Sequence, residues 1–117
     1  MDRQTAKELL HIREWLNRVE EITAEGRGAY MNSAILQEAG DSLMMKLGEA
    51  AKRLAQMNVL APEGVVWATA VANRNFIIHQ YDQIDRNITW NTLTKSLPQW
   101  SRSLQPLFEK AREAARL

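Results

Sequence analysis

The sequence predicts an all-α protein, an up-down bundle of four to five helices whose last helix is kinked or broken near Pro98. Apolar residues recur at steps of three and four along most of the chain, which is the period of one helix face. No stretch alternates apolar and polar residues as a half-buried strand does. A chain of 117 residues fits one domain, and without a repeat or linker we expect residues 1–117 to form it.

The first two predicted helices fill the N-terminal half of the chain. Asp2 and Thr5 are start signals for the first, and the sequence EGRG at 25–28 is a stop signal. Its apolar face consists of Leu9, Ile12, Leu16, Val19 and Ile22. The stripe of the second helix consists of Leu36, Leu43, Leu47, Ala50, Leu54 and Met57. Gly40 and Gly48 weaken this helix slightly without interrupting the stripe.

The C-terminal half contains a third helix and a longer helical region. The third helix is predicted to begin around Pro62–Val66 and to run to about Gln80. The polar segment 81–87 is a predicted turn, where Asp85 or Asn87 can cap the next helix. One register then contains Leu93, Leu97, Trp100, Leu104, Leu107, Ala111 and Ala114. Prolines at 98 and 106 interrupt this register, so we expect a kink or a restart near 96–98.

Composition and charge exclude several classes of protein. Fifteen basic and fourteen acidic residues leave a net charge of +1, unlike proteins that coat nucleic acid or membranes by charge alone. The chain has no cysteine, which excludes disulfides, thiolate metal sites and cysteine nucleophiles. No apolar run reaches the ~20 residues of a membrane span, and the first residues lack the pattern of a secretion signal. We therefore expect a cytoplasmic protein that does not bind membranes.

The segment NRNFIIHQY, residues 73–81, combines an apolar centre with an arginine, a histidine and a tyrosine. Arg74 occupies a position where the stripe Trp67, Val71, Arg74, Ile78 and Tyr81 would predict an apolar residue. In a regular helix His79 lies about 140° around the axis from Arg74. The two side chains then act on one atom only if the helix unwinds near its end or if a second copy contributes residues across a two-fold axis.

These residue types suit the metal-free cleavage of RNA. A histidine can take a proton from the 2′-hydroxyl and return one to the leaving oxygen. An arginine fits phosphate oxygens and stabilises the charge that develops on them, and Asn75 can orient a phosphate or a base. A structural interpretation is equally simple: His79 as a helix-end residue, Arg74 paired with Glu49, and Tyr81 as core with a wet tip. From the residues alone we favour this structural interpretation.

The pattern R-N-x-x-x-H-x-Y, formed by Arg74, Asn75, His79 and Tyr81, resembles the signature of the HepT toxins of the HEPN superfamily. The likeness extends to LGEAAKRL (47–54), to PEGVVW (62–67) and to the stretch 84–98 that contains a tryptophan and ends in LP. It covers roughly residues 40–100. One departure is Val71-Ala72-Asn73, where many members of the family have a glycine shortly before the arginine.

The resemblance implies the toxin of a type II- or type VII-like toxin–antitoxin module. It implies a HEPN-type bundle, a homodimer and a metal-independent endoribonuclease whose site lies at the dimer interface, with Arg74 and His79 catalytic. It also implies an MNT-type nucleotidyltransferase antitoxin, which can transfer AMP to Tyr81. A bulky anionic group there would repel phosphate from the neighbouring Arg74 and His79.

Three residues of the second helix are further candidates. Glu49 is predicted to pair with Arg74 as a supporting residue, whereas Lys52 and Arg53 are interpreted as a solvated charged face. We predict no metal or cofactor, because the two histidines are far apart and no glycine-rich phosphate loop is present. The alternative to a ribonuclease is a non-catalytic helical subunit that presents substrate to a nucleotidyltransferase. A further alternative is a dimerising bundle in which Arg74 and Glu49 merely secure a core.

Overall fold

The computed structural model describes residues 1–80 and 82–116, and this part of the chain is all-α. Its helices are α1 (Arg3–Ala24), α2 (Arg27–Met31), α3 (Ala34–Gln56), α4 (Trp67–His79), α5 (Arg86–Asn91) and α6 (Leu97–Ala115). A π-helical turn, Thr92–Ser96, joins α5 to α6 without a break. Counted as one helix, α5 to α6 makes five in the described residues, which confirms the predicted fold class. None of these helices is both long and apolar enough to cross a membrane.

The last helix departs from α geometry just before Pro98, as the sequence predicts. The N–H of Leu97 donates to the carbonyl of Thr92, five residues earlier, which is the π-helical pattern. Pro98 has no N–H for the carbonyl four residues before it, so the α-helical ladder cannot continue there in register. The helix does not stop, and α6 also continues through Pro106.

Polar caps fix three of the helix starts. Asp2 accepts a hydrogen bond from the backbone N–H of Thr5 at 2.7 Å, which lowers the pKa of the Asp2 carboxyl. Ser33 caps α3 and Asp85 caps α5 in the same way, the latter as predicted. The predicted start of α4 near Pro62–Val66 is wrong by a few residues. Gly64 has a φ of +87°, which no helix accommodates, so α4 begins only at Trp67.

Helix α1 packs against both α3 and α6 in the core, and α4 packs against α3. The largest fully buried side chains include Leu9, Ile12, Leu47, Leu54, Leu93, Leu104 and Phe108. All but Phe108 belong to the predicted stripes. Helices α3 and α4 run antiparallel, because Asp41, in the first half of α3, lines one groove with Ile78 near the end of α4, whereas Gln56 lines another with Trp67 at its beginning.

The close approach of α3 and α4 depends on Gly48. A Cβ atom at this position would collide with the Cβ of Arg74 and would lie 2.8 Å from the carbonyl oxygen of Ala70. Sequence reasoning assigned Gly48 only a small helix-weakening effect. The structure shows instead that its missing side chain lets the backbone of α4 lie directly against α3.

A polar cluster ties α2 and α5 to α3. Arg86 donates two hydrogen bonds to Asp41, at 2.7 and 3.0 Å, and this pairing is the main cause that raises the pKa of Arg86. The hydroxyls of Tyr30 and Thr89 lie 2.6 Å apart in a buried hydrogen bond. The short helix α2, which places Tyr30 there, was not predicted, because its sequence begins within the stop signal at 25–28.

Candidate active site

Helix α4 contains Arg74, Asn75 and His79 in its second half. The face of α4 that packs on α3 contains the buried residues Trp67, Ala70 and Ile77. Arg74 lies between Ala70 and Ile77 at steps of four and three, so it does occupy a core-facing position. The predicted stripe was otherwise rotated, because Ile78 is 40% exposed. Tyr81 lies outside the described residues.

Arg74 is held by one residue on each side. Its Nε forms an ion pair with Oε1 of Glu49, and its Nη1 donates a 3.1 Å hydrogen bond to Oδ1 of Asn75. The side chain of Arg74 is 26% exposed and that of Glu49 is 42% exposed. The guanidinium therefore retains donors for a further anion.

His79 is the last residue of α4, and its side chain is exposed. It lines a shallow depression together with Ile78, Gln80, Asp82 and Gln83. Helix α4 keeps α geometry through His79, with Gln80 as the C-cap. The imidazole is thus accessible to a substrate or to another chain.

Arg74 and His79 diverge within one chain, as the helical geometry requires. They lie about 140° apart around the axis and about 7.5 Å apart along it. Within the described residues no hydrogen bond joins the two side chains. The sequence left two ways to bring the two side chains together, unwinding of the helix end or a second copy. Helix α4 does not unwind before His79. A single copy therefore does not direct both groups at one atom.

Two surface grooves flank the contact between α3 and α4. The larger one, about 800 Å³, is lined by apolar, acidic and basic side chains, among them Trp15, Glu38, Asp41, Met45, Lys46, Glu49, Arg53, Ile77 and Ile78. The smaller one, about 450 Å³, is lined among others by Lys52, Gln56, Trp67, Val71 and Asn75. Arg74 contacts Glu49 of the first and Asn75 of the second. It consequently stands at the boundary between the two grooves.

The two basic residues of α3 have different surroundings, which the sequence could not distinguish. Arg53 donates to Glu8 of α1 at 3.0 Å and so links α3 to the bundle. Lys52 is exposed at the smaller groove and, within the described part of the chain, takes part in no ion pair. The predicted Arg74–Glu49 pair is present. The proximity of Lys52 to Asn75 was missed, because no local pattern links residues of different helices.

Comparison with known proteins identifies one family. The family model described as ribonuclease HepT-like matches residues 12–107, which include every candidate site residue. No curated protein and no solved structure matches significantly. The matched region begins in α1 and ends in α6, so it covers the whole bundle rather than the motif alone. This chain therefore belongs to the HepT-like ribonuclease family.

Proposed function

We propose that this protein is the toxin of a toxin–antitoxin module and a metal-independent endoribonuclease that acts as a homodimer through Arg74 and His79. The observation that carries the proposal is the family match over residues 12–107, within which the R-N-x-x-x-H-x-Y pattern is complete. The site supports it: His79 is exposed at a helix end, and Arg74 keeps free donors beside a groove.

In a homodimer, a second copy can bring a His79 close to Arg74, although these two side chains diverge within one chain. A two-fold axis near the end of α4 brings the same turns of two copies together, so that one cleft contains both side chains from both copies. Ile78 and Met45 support such a contact, because they are 40% and 37% exposed beside the larger groove. We expect the second copy to cover these apolar side chains.

In the proposed reaction His79 takes the proton from a 2′-hydroxyl, and the 2′-oxygen attacks the adjacent phosphorus. The bond from phosphorus to the 5′-oxygen breaks, and a histidine returns a proton to this leaving oxygen. The products are a 2′,3′-cyclic phosphate and a 5′-hydroxyl. Arg74 stabilises the charge on the pentacovalent phosphorus, Asn75 orients the substrate, and Glu49 positions Arg74.

The partner in this proposal is a nucleotidyltransferase antitoxin that transfers AMP to Tyr81. Tyr81 follows His79 by two residues, so an added phosphate would lie close to the catalytic groups. The adduct would occupy the space of the RNA phosphate and compete for Arg74. Incubating the protein with the antitoxin and ATP should add one AMP to the wild type and none to Tyr81→Phe. Neutralisation of Tyr81→Phe without modification would instead indicate that the antitoxin blocks the site sterically.

The ribonuclease proposal is tested by incubating purified dimer with total RNA in EDTA. The wild type should produce 2′,3′-cyclic phosphate ends, and His79→Ala should not. Expression of the wild type should arrest growth, and His79→Ala or Arg74→Ala should relieve the arrest while the dimer stays folded. Full toxicity of both variants would refute the assignment.

The Arg74–Glu49 pair also supports a second candidate, a non-catalytic helical subunit of a nucleotidyltransferase in which the pair only secures the α3–α4 contact. In that case the purified protein cleaves no RNA, and replacing both residues with neutral ones leaves binding to the transferase unchanged. Loss of His79 would then alter complex formation rather than cleavage.

A further inference from the structure

The smaller groove, which we name the Lys52 groove, differs from its neighbour in charge. Three carboxylates line the larger groove, Glu38, Asp41 and Glu49, together with the basic Lys46 and Arg53. Among the described residues that line the Lys52 groove there is no carboxylate, and the charged side chain present is that of Lys52. A polyanion that approaches Arg74 therefore meets carboxylates among basic groups on one side, and a lysine without a carboxylate on the other.

The Lys52 groove also presents amide groups. Asn75 and Gln56 stand at its rim, and both are exposed. The Oδ1 of Asn75 accepts the hydrogen bond from Arg74, so its NH₂ group remains as a donor on the groove side. Side-chain amides can pair with base edges, while the flat indole of Trp67 and the side chain of Val71 form an apolar wall.

The Lys52 groove adjoins Arg74 through Asn75, which lines the groove and accepts a hydrogen bond from Arg74. Lys52 lies one helical turn after Gly48, the point where α3 packs against the side chain of Arg74 and the backbone oxygen of Ala70. That turn corresponds to about 6 Å along the helix axis. The groove is an open depression of about 450 Å³. A ligand with a phosphate at Arg74 can thus place its next unit in the groove.

We propose that the Lys52 groove binds the nucleotide adjacent to the cleaved phosphate of single-stranded RNA. Lys52 contacts the next phosphate, and Gln56 with Asn75 contacts the base edge. The inference rests on the proposed function, because it assumes that the phosphate at Arg74 belongs to RNA. It assigns substrate binding to Lys52 and base preference to Gln56.

The test measures binding separately from cleavage. A fluorescein-labelled single-stranded RNA of mixed sequence is titrated in EDTA with protein carrying His79→Ala, so that the RNA stays intact. Adding Lys52→Ala should weaken binding about five- to tenfold and should lower the slope of log affinity against log salt by roughly 0.7, as expected for one lost phosphate contact on a single strand. Lys52→Arg should restore most of the affinity. The matched control is Lys110→Ala, an exposed lysine of α6.

A second measurement uses the catalytically intact protein. Lys52→Ala should raise KM several-fold with little change in kcat, because it removes a contact made equally in the ground and transition states. Gln56→Ala should change which base is found beside the cut, read by sequencing the product ends. Both residues are exposed, so thermal denaturation should show folded proteins.

The outcomes separate this inference from the proposed function. If the wild type cleaves RNA and Lys52→Ala binds and cleaves it like Lys110→Ala, the groove is not a nucleotide site although the ribonuclease assignment stands. If Lys52→Ala weakens the dimer and leaves RNA affinity unchanged, the groove is a protein interface and the inference is overturned. If the wild type cleaves nothing but RNA binding depends on Lys52, the groove binds RNA, whereas the catalytic proposal fails and with it the position of the groove beside a cleaved phosphate.

Discussion

Two arginine–carboxylate pairs connect α3 to later helices. They differ in how many hydrogen-bond donors of the arginine the carboxylate occupies. Arg86 binds Asp41 through two hydrogen bonds of 2.7 and 3.0 Å, and the side chains are 23% and 15% exposed. Arg74 forms an ion pair with Glu49 through Nε, and the side chains are 26% and 42% exposed. The first arginine has its fork matched to a carboxylate, whereas the second retains donors.

The difference separates a pair that stabilises the fold from a pair whose arginine can still bind an anion. A bidentate, partly buried pair restricts both side chains and stabilises the contact of α3 with α5. A pair whose carboxylate is 42% exposed contributes less to stability, because water screens it and the side chains lose entropy. An anion such as phosphate can therefore compete for Arg74 at small cost, but not for Arg86. Four predictions test this comparison.

The largest expected effect is on RNA cleavage by Arg74→Ala and His79→Ala. Loss of the general acid–base should lower kcat about 10²–10⁴-fold, and loss of the charge-stabilising donor about 10²–10³-fold. Cleavage rates of a labelled RNA under saturating conditions measure both. Arg86→Ala, corrected for the folded fraction, should retain kcat. An equal loss of kcat in Arg86→Ala would erase the distinction between the pairs.

The next effect is on stability, in Asp41→Asn. The amide keeps the shape but leaves Arg86 without its counter-charge, which should lower the free energy of unfolding by about 1–3 kcal/mol at this partial exposure. Urea denaturation measures the loss. The raised pKa of Arg86 means that its charge contributes fully at every pH below its ordinary value and is lost only as pH rises through the raised one. The wild-type contribution of Arg86 should therefore stay constant throughout the neutral range.

Two glycines of α3 provide a third test, since each lies beside one of the regions compared. Gly48→Ala places a methyl group against Arg74 and 2.8 Å from the backbone oxygen of Ala70, which cannot rotate away. We expect a net loss of about 1–2 kcal/mol after the gain in helix propensity, and reduced cleavage because Arg74 moves. Gly40→Ala, the matched control, meets mainly the side chain of Leu93 at 3.1 Å, which can adjust. Equal stability of both variants would show that the close approach at Gly48 is unimportant.

The two regions were not equally predictable from the sequence. The helices of the core follow from apolar spacing, and the Arg74–Glu49 pair follows from an arginine on a core-facing stripe and a family pattern around it. The Asp41–Arg86 pair and the Tyr30–Thr89 hydrogen bond were missed, because their partners are 45 and 59 residues apart and leave no local pattern. The role of Gly48 was missed for the same reason: a close approach is a property of two helices.

The smallest effect on stability should come from Glu49→Gln, the counterpart of Asp41→Asn. Because Glu49 is 42% exposed and water screens its charge, we expect the free energy of unfolding to fall by less than about 1 kcal/mol. Cleavage should nevertheless slow roughly three- to tenfold in kcat, since Arg74 loses the residue that positions it. Parallel urea denaturation and steady-state kinetics of the two amide variants measure both quantities. A stability loss as large as that of Asp41→Asn, with kcat unchanged, would mean that Glu49 and Arg74 secure the fold as Asp41 and Arg86 do. The reverse pattern, kcat lowered and stability kept, is what a positioned catalytic arginine requires.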